Sequence, residues 1–138
     1  MAIRVALAVM VIGSLTMTAK SDDVVAQATL DIFSGRPNPT WTLTEAQTKD
    51  LQSRLTRLST KLRTAPDVPD LGYRGVRVRV EANELTVARG SVAIEDRGSV
   101  AHFVDADRQL ESWLLHTAQG KIPPDILKIA EADLSAPR

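Results

Sequence analysis

Val76-Arg77-Val78-Arg79-Val80-Glu81-Ala82-Asn83-Glu84-Leu85-Thr86-Val87-Ala88 is the stretch that decides the fold. Valine returns at every second position from 76 to 80, and successive side chains of a strand point to opposite faces, so one face is wholly apolar. The other carries Arg77 and Arg79, which places that side of the sheet in water. Ala82-Asn83-Glu84 reads as a short turn, Leu85-Thr86-Val87-Ala88 as the returning arm of a hairpin, and Gly90 as a bulge ahead of Val92-Ala93-Ile94.

Working outward toward the N-terminus, Ala28-Thr29-Leu30-Asp31-Ile32-Phe33 alternates at the same period and is broken by Ser34-Gly35-Arg36-Pro37-Asn38-Pro39. Trp41-Thr42-Leu43 resumes an extended pattern. Thr44 with Gln47 three positions on forms a capping box, which starts a helix. Leu51, Leu55, Leu58 and Leu62 then recur at spacings of four, three and four, and predict a helix with one leucine stripe that ends at the prolines of Ala65-Pro66-Asp67-Val68-Pro69-Asp70.

Toward the C-terminus, Asp105 is a suitable N-cap and Asp107 complements the positive end of a helix whose apolar face is Leu110, Trp113, Leu114, Thr117 and Ala118. Gly120 closes it. Pro123-Pro124 opens a second helix from Asp125 to about Leu134. Strands segregated from helices predict an α+β domain: a small, mostly antiparallel sheet of three to five strands with about three helices packed on one face.

Arg89-Gly90-Ser91-Val92-Ala93 recurs word for word as Arg97-Gly98-Ser99-Val100-Ala101. Two copies are too few for a repeat architecture, and each reads as a turn followed by the start of a strand, with a ligand site built from paired turns as the alternative.

The first residues read as an export signal. Met1-Ala2-Ile3-Arg4 puts a positive charge ahead of the apolar run 5–19, and Ala26-Gln27-Ala28 has the small-x-small spacing that a signal peptidase cuts after. The expected organisation is a signal peptide over residues 1–28, cut after Ala28 or Ala26 with Ala19 as a third position, and a single globular α+β domain over residues 29–138. The alternative is an anchor, but the run falls short of the ~20 apolar residues a spanning helix needs. Export implies a secreted or periplasmic protein with no membrane attachment after cleavage.

The chain of 138 residues contains no cysteine, so its stability comes from a packed core. Its formal net charge is +0, and removing the leader takes away Arg4 and Lys20 against Asp22 and Asp23, which leaves it neutral. A neutral chain does not bind nucleic acid through bulk charge.

Searching for chemistry finds no phosphate-cradling loop, no Gly-x-Ser-x-Gly elbow and no His-Glu-x-x-His. His102 and His116 belong to different elements, and Asp105-Ala106-Asp107 reads as helix capping better than as a calcium site. No catalytic residue, cofactor or metal is assigned. A small hydrolase using His102 with Asp31 or Asp105 stays open as an alternative.

The segment that stands out is Phe33-Ser34-Gly35-Arg36-Pro37-Asn38-Pro39-Thr40-Trp41. Two prolines restrict its backbone, and a stiff loop loses little entropy when it binds. Together with Leu71-Gly72-Tyr73-Arg74-Gly75 it offers Arg36, Asn38, Trp41, Tyr73 and Arg74 as ligand-binding residues for a small anionic, carbohydrate, or peptide or protein partner. The resulting expectation is an exported, non-catalytic binding domain; a protease inhibitor presenting the proline-rich loop is a variant. The structural alternative has Phe33, Trp41 and Tyr73 in the core and the arginine locking the turn.

Leu30-Asp31-Ile32-Phe33-Ser34-Gly35-Arg36-Pro37-Asn38-Pro39-Thr40-Trp41-Thr42-Leu43, Leu71-Gly72-Tyr73-Arg74-Gly75 and Arg108-Gln109-Leu110-Glu111-Ser112-Trp113-Leu114-Leu115 resemble a group of small, uncharacterised exported proteins that carry an S-G-R-P-N-P-x-W block. The resemblance covers most of residues 29–138 and implies the domain limits. It implies no activity, cofactor or catalytic residue.

Overall fold

A computed structural model describes residues 24–62 and 71–136. The apolar run 5–19 and the prolines at 66 and 69 lie outside the described residues. The elements follow in the order β1 (Gln27–Asp31), β2 (Thr40–Thr42), α1 (Glu45–Thr56), β3 (Lys61–Leu62), β4 (Gly75–Val80), β5 (Asn83–Ala88), β6 (Ser91–Asp96), β7 (Ser99–Val104), α2 (Gln109–Thr117) and α3 (Pro124–Ser135), with a 3-10 turn at Ala106–Arg108 before α2. The class is α+β.

Among the described residues the sheet has seven strands in the order β2-β1-β4-β5-β6-β7-β3, larger than the three to five expected. All its pairs are antiparallel. The meander continues where the sequence suggested a bulge, because Arg89-Gly90 is a two-residue hairpin turn between the paired Ala88 and Ser91. Its φ angles are 48° and 84°, and those of Arg97-Gly98 are 54° and 83°. Positive φ at both central positions matches the right-handed twist of the flanking strands. The duplicated pentapeptide is therefore one hairpin turn and strand start, used twice.

The capping box forms as the sequence predicts: Gln47 N donates to Thr44 Oγ1 at 3.0 Å and Thr44 N to Gln47 Oε1 at 2.9 Å. The leucine stripe does not stay helical. α1 ends at Thr56, and Leu62 sits in β3 opposite His102. Val104 N donates to the Thr60 carbonyl at 2.9 Å, so the chain after Leu58 is drawn alongside β7.

The apolar sheet face, with Ala28, Leu30, Val76, Val78, Val87 and Val92, joins Leu51 of α1, Leu114 and Leu115 of α2, and Leu127 and Ala130 of α3 in one buried cluster. Burying each large aliphatic side chain contributes about 1.5–3 kcal/mol. The other face leaves Gln27, Arg77, Arg79 and Glu95 exposed. Both edge strands are short, at three and two residues, which limits edge-to-edge association. β1 is an interior strand, flanked by β2 and β4.

Candidate functional site

The loop between β1 and β2 is fastened from beneath. Leu30 N donates to the Pro39 carbonyl at 2.9 Å and closes its neck. The Asn38 side-chain oxygen accepts from Ile32 N at 3.0 Å and Phe33 N at 2.7 Å, while its amide nitrogen reaches Asp31 Oδ1 at 3.4 Å. From the start of the neighbouring strand, Arg74 Nη2 donates to Asp31 Oδ1 at 2.8 Å and to the Phe33 carbonyl at 2.9 Å. Its own N–H donates to the Asp31 carbonyl at 2.7 Å.

Residues 34–37 are exposed above this clamp. The Arg36 guanidinium lies 3.8 Å from the centroid of the half-buried Phe33 ring, a cation–π contact that holds the cation at the tip. Removing the Asn38 side chain by Asn38→Ala leaves two backbone N–H groups without their acceptor. The expected loss is about 1–3 kcal/mol, to be read from urea unfolding.

The two aromatic candidates are elsewhere. Trp41 is 3% exposed, and its Nε1 donates to Thr117 Oγ1 of α2 at 2.9 Å. Tyr73 is 6% exposed, and its hydroxyl donates to Glu111 Oε2. Burial, and then the Glu111 charge, pushes the phenol far above its usual pKa. Of the five candidate residues, Asn38 and Arg74 meet at Asp31 and support the loop, Arg36 is presented, and Trp41 and Tyr73 join the core rather than the tip.

A polar cluster that the sequence reading missed surrounds Glu111. This carboxylate is 0% exposed and is held bidentately by Arg108, with Nε to Oε1 and Nη2 to Oε2 both at 2.8 Å. Arg89 N donates to Oε1 at 3.1 Å. Arg108 Nη2 also reaches Asp133 Oδ2 at 2.9 Å, and Arg89 Nη2 reaches Asp133 Oδ1 at 3.2 Å, so the cluster ties the β5–β6 turn to α2 and α3. The hydrogen bonds to Glu111 push the Arg108 guanidinium pKa further up. The signal was in the chain: Glu111, Leu115 and Ala118 share one helix face at spacings of four and three.

The sheet order keeps Asp31 apart from His102. Asp31 on β1 and His102 on β7 are separated by β4, β5 and β6, four inter-strand steps or roughly 19 Å. Asp105 is 4% exposed and spends both oxygens on the start of α2, accepting from Leu110 N at 2.8 Å and Glu111 N at 3.0 Å. Burial pushes its pKa up, and those two hydrogen bonds oppose the rise. His102 Nδ1 is buried with no hydrogen-bond partner among the described residues. No group of three or more His, Cys, Asp or Glu side chains among the described residues is placed to hold a metal ion.

Concavities among the described residues include two on other parts of the surface. One of about 290 Å³ is lined by Arg54, Arg57, Ser59, Thr60 and Gln109, among others, with Arg54 tied to Asp50 at 3.0 Å and stacked 4.6 Å from the Trp113 ring centroid. The other, about 240 Å³, lies on the polar sheet face around Gln27, Thr29, Arg77, Arg79 and Glu84. Neither shares a lining residue with the loop tip. No helix among the described residues is long and apolar enough to cross a membrane. No protein-family model, curated protein or solved structure matches the chain.

Proposed function

We propose that this is an exported, non-catalytic binding domain, secreted or periplasmic, that presents the tip at residues 34–37 to an anionic group on a peptide or an acidic sugar. The observation that carries this reading is the pairing of an exposed Arg36, stacked on Phe33, with a loop backbone clamped by Asn38 and Arg74. A guanidinium held in place has less freedom to lose on meeting a carboxylate or sulfate, and offers it two parallel hydrogen bonds. Asn38 and Arg74 support the tip from beneath, while Trp41 and Tyr73 belong to the core. In this reading the three helices cover the apolar sheet face, and the neutral overall charge keeps recognition local to the tip.

Titration calorimetry with a panel of acidic peptides and acidic oligosaccharides tests this. The folded protein is expected to bind a member of the panel, and Arg36→Ala to weaken that binding at least tenfold while moving Tm by no more than about 3 °C. Undiminished affinity in Arg36→Ala, or a panel that is silent throughout, overturns the reading.

A further inference from the structure

Ala26-Gln27-Ala28 has the spacing of a peptidase site, yet it leads into and opens β1, a strand paired on both sides. Ala26 and Ala28 are both 0% exposed. Gln27 pairs with Thr42 on one side and Arg79 on the other, and Ala28 with Trp41 and Val78. Ala26 N donates to Thr48 Oγ1 at 2.9 Å, and the Ala26 carbonyl accepts from Leu43 N at 2.9 Å. Cutting after Ala28 removes the first two residues of β1 and leaves Thr42 and Trp41 on β2 and Arg79 and Val78 on β4 facing a gap. Cutting after Ala26 takes away the acceptor of Leu43 N and the donor to Thr48, and puts a charged ammonium on Gln27 beside them.

A second small-x-small triplet, Ala19-Lys20-Ser21, stands immediately at the end of the apolar run and ahead of Val24, the first described residue. We infer that the leader is cut after Ser21, and that residues 24–28 are retained because the fold buries Ala26 and Ala28, hydrogen-bonds Ala26 and pairs Gln27 and Ala28. Hydrolysis of the Ser21–Asp22 peptide bond by water leaves a carboxylate on the released leader and an ammonium on Asp22. The two acidic residues Asp22 and Asp23 then head the exported chain, ahead of β1 in sequence. The inference rests on the export reading above.

The full chain, expressed in a bacterium and recovered from outside the cytosol, gives the test by intact mass. The expected species begins at Asp22, and Ser21→Leu, which places a bulky group where the peptidase needs a small one, accumulates uncut precursor. A species beginning at Gln27 or Thr29 overturns the cut while leaving export standing; protein that keeps Met1 overturns both. Independently of export, a chain beginning at Thr29 is expected to melt at least about 5 °C below one beginning at Asp22. Equal melting temperatures overturn the claim that the fold needs residues 24–28.

Discussion

Replacing Glu111 by leucine is expected to cost about 3–5 kcal/mol, a large share of the roughly 5–15 kcal/mol that holds a domain of this size together. The substitution keeps the volume apolar but strands everything that converges on the carboxylate: the Arg108 fork, the Tyr73 hydroxyl and the Arg89 N–H. Arg108 is 8% exposed, so its charge cannot recover hydration without opening the packing of α2 on α3. The double variant Arg108→Leu with Glu111→Leu also removes the buried cation that Glu111→Leu leaves with Asp133 as its partner, and urea unfolding should show it to be more stable than Glu111→Leu alone. A double variant as unstable as the single one would mean that the cluster acts through packing rather than through charge.

Gly75→Ala is expected to cost about 3 kcal/mol or more. Gly75 opens β4 at φ +128°, a backbone region side chains avoid, and an added Cβ would stand 2.7 Å from both Ala88 Cβ and the Val87 carbonyl oxygen. Relief requires β4 to move away from β5, which carries the adjacent Arg74 off Asp31 and Phe33 and loosens the loop tip as well. Gly72→Ala is the matched control: its φ is +80° but nothing lies within 4 Å of the new Cβ, so only the backbone cost of about 1 kcal/mol remains. Similar melting temperatures for the two variants would contradict the close approach at Gly75.

Local signals in the sequence were reliable wherever one element sufficed to satisfy them. The valine alternation at 76–80, the Thr44–Gln47 box and Pro124 in the first turn of α3 each describe a short stretch, and each forms as read. The leucine stripe failed at its far end because Leu62 serves the sheet through β7, a partner some forty positions away in the chain that helical spacing cannot register. The sheet was underestimated for a related reason: β6 and β7 carry Glu95, Asp96, Ser99 and Val100 on exposed positions, which blurs their alternation. In the candidate site, Arg36 and Asn38 are legible as a stiff loop. The inward turn of Trp41 and Tyr73 depends on Thr117 and Glu111, which only the folded chain brings near.

The two identical pentapeptides differ in what their arginines hold. Arg89 is joined to Glu111 and Asp133, whereas Arg97 is 92% exposed in its side chain and lies 3.9 Å from Asp96, its own neighbour. Duplicated words in a chain thus carry unequal mutational tolerance: randomising the second turn constrains little beyond its glycine, so a reporter dye or an epitope tag belongs there, while the first turn accepts no such cargo.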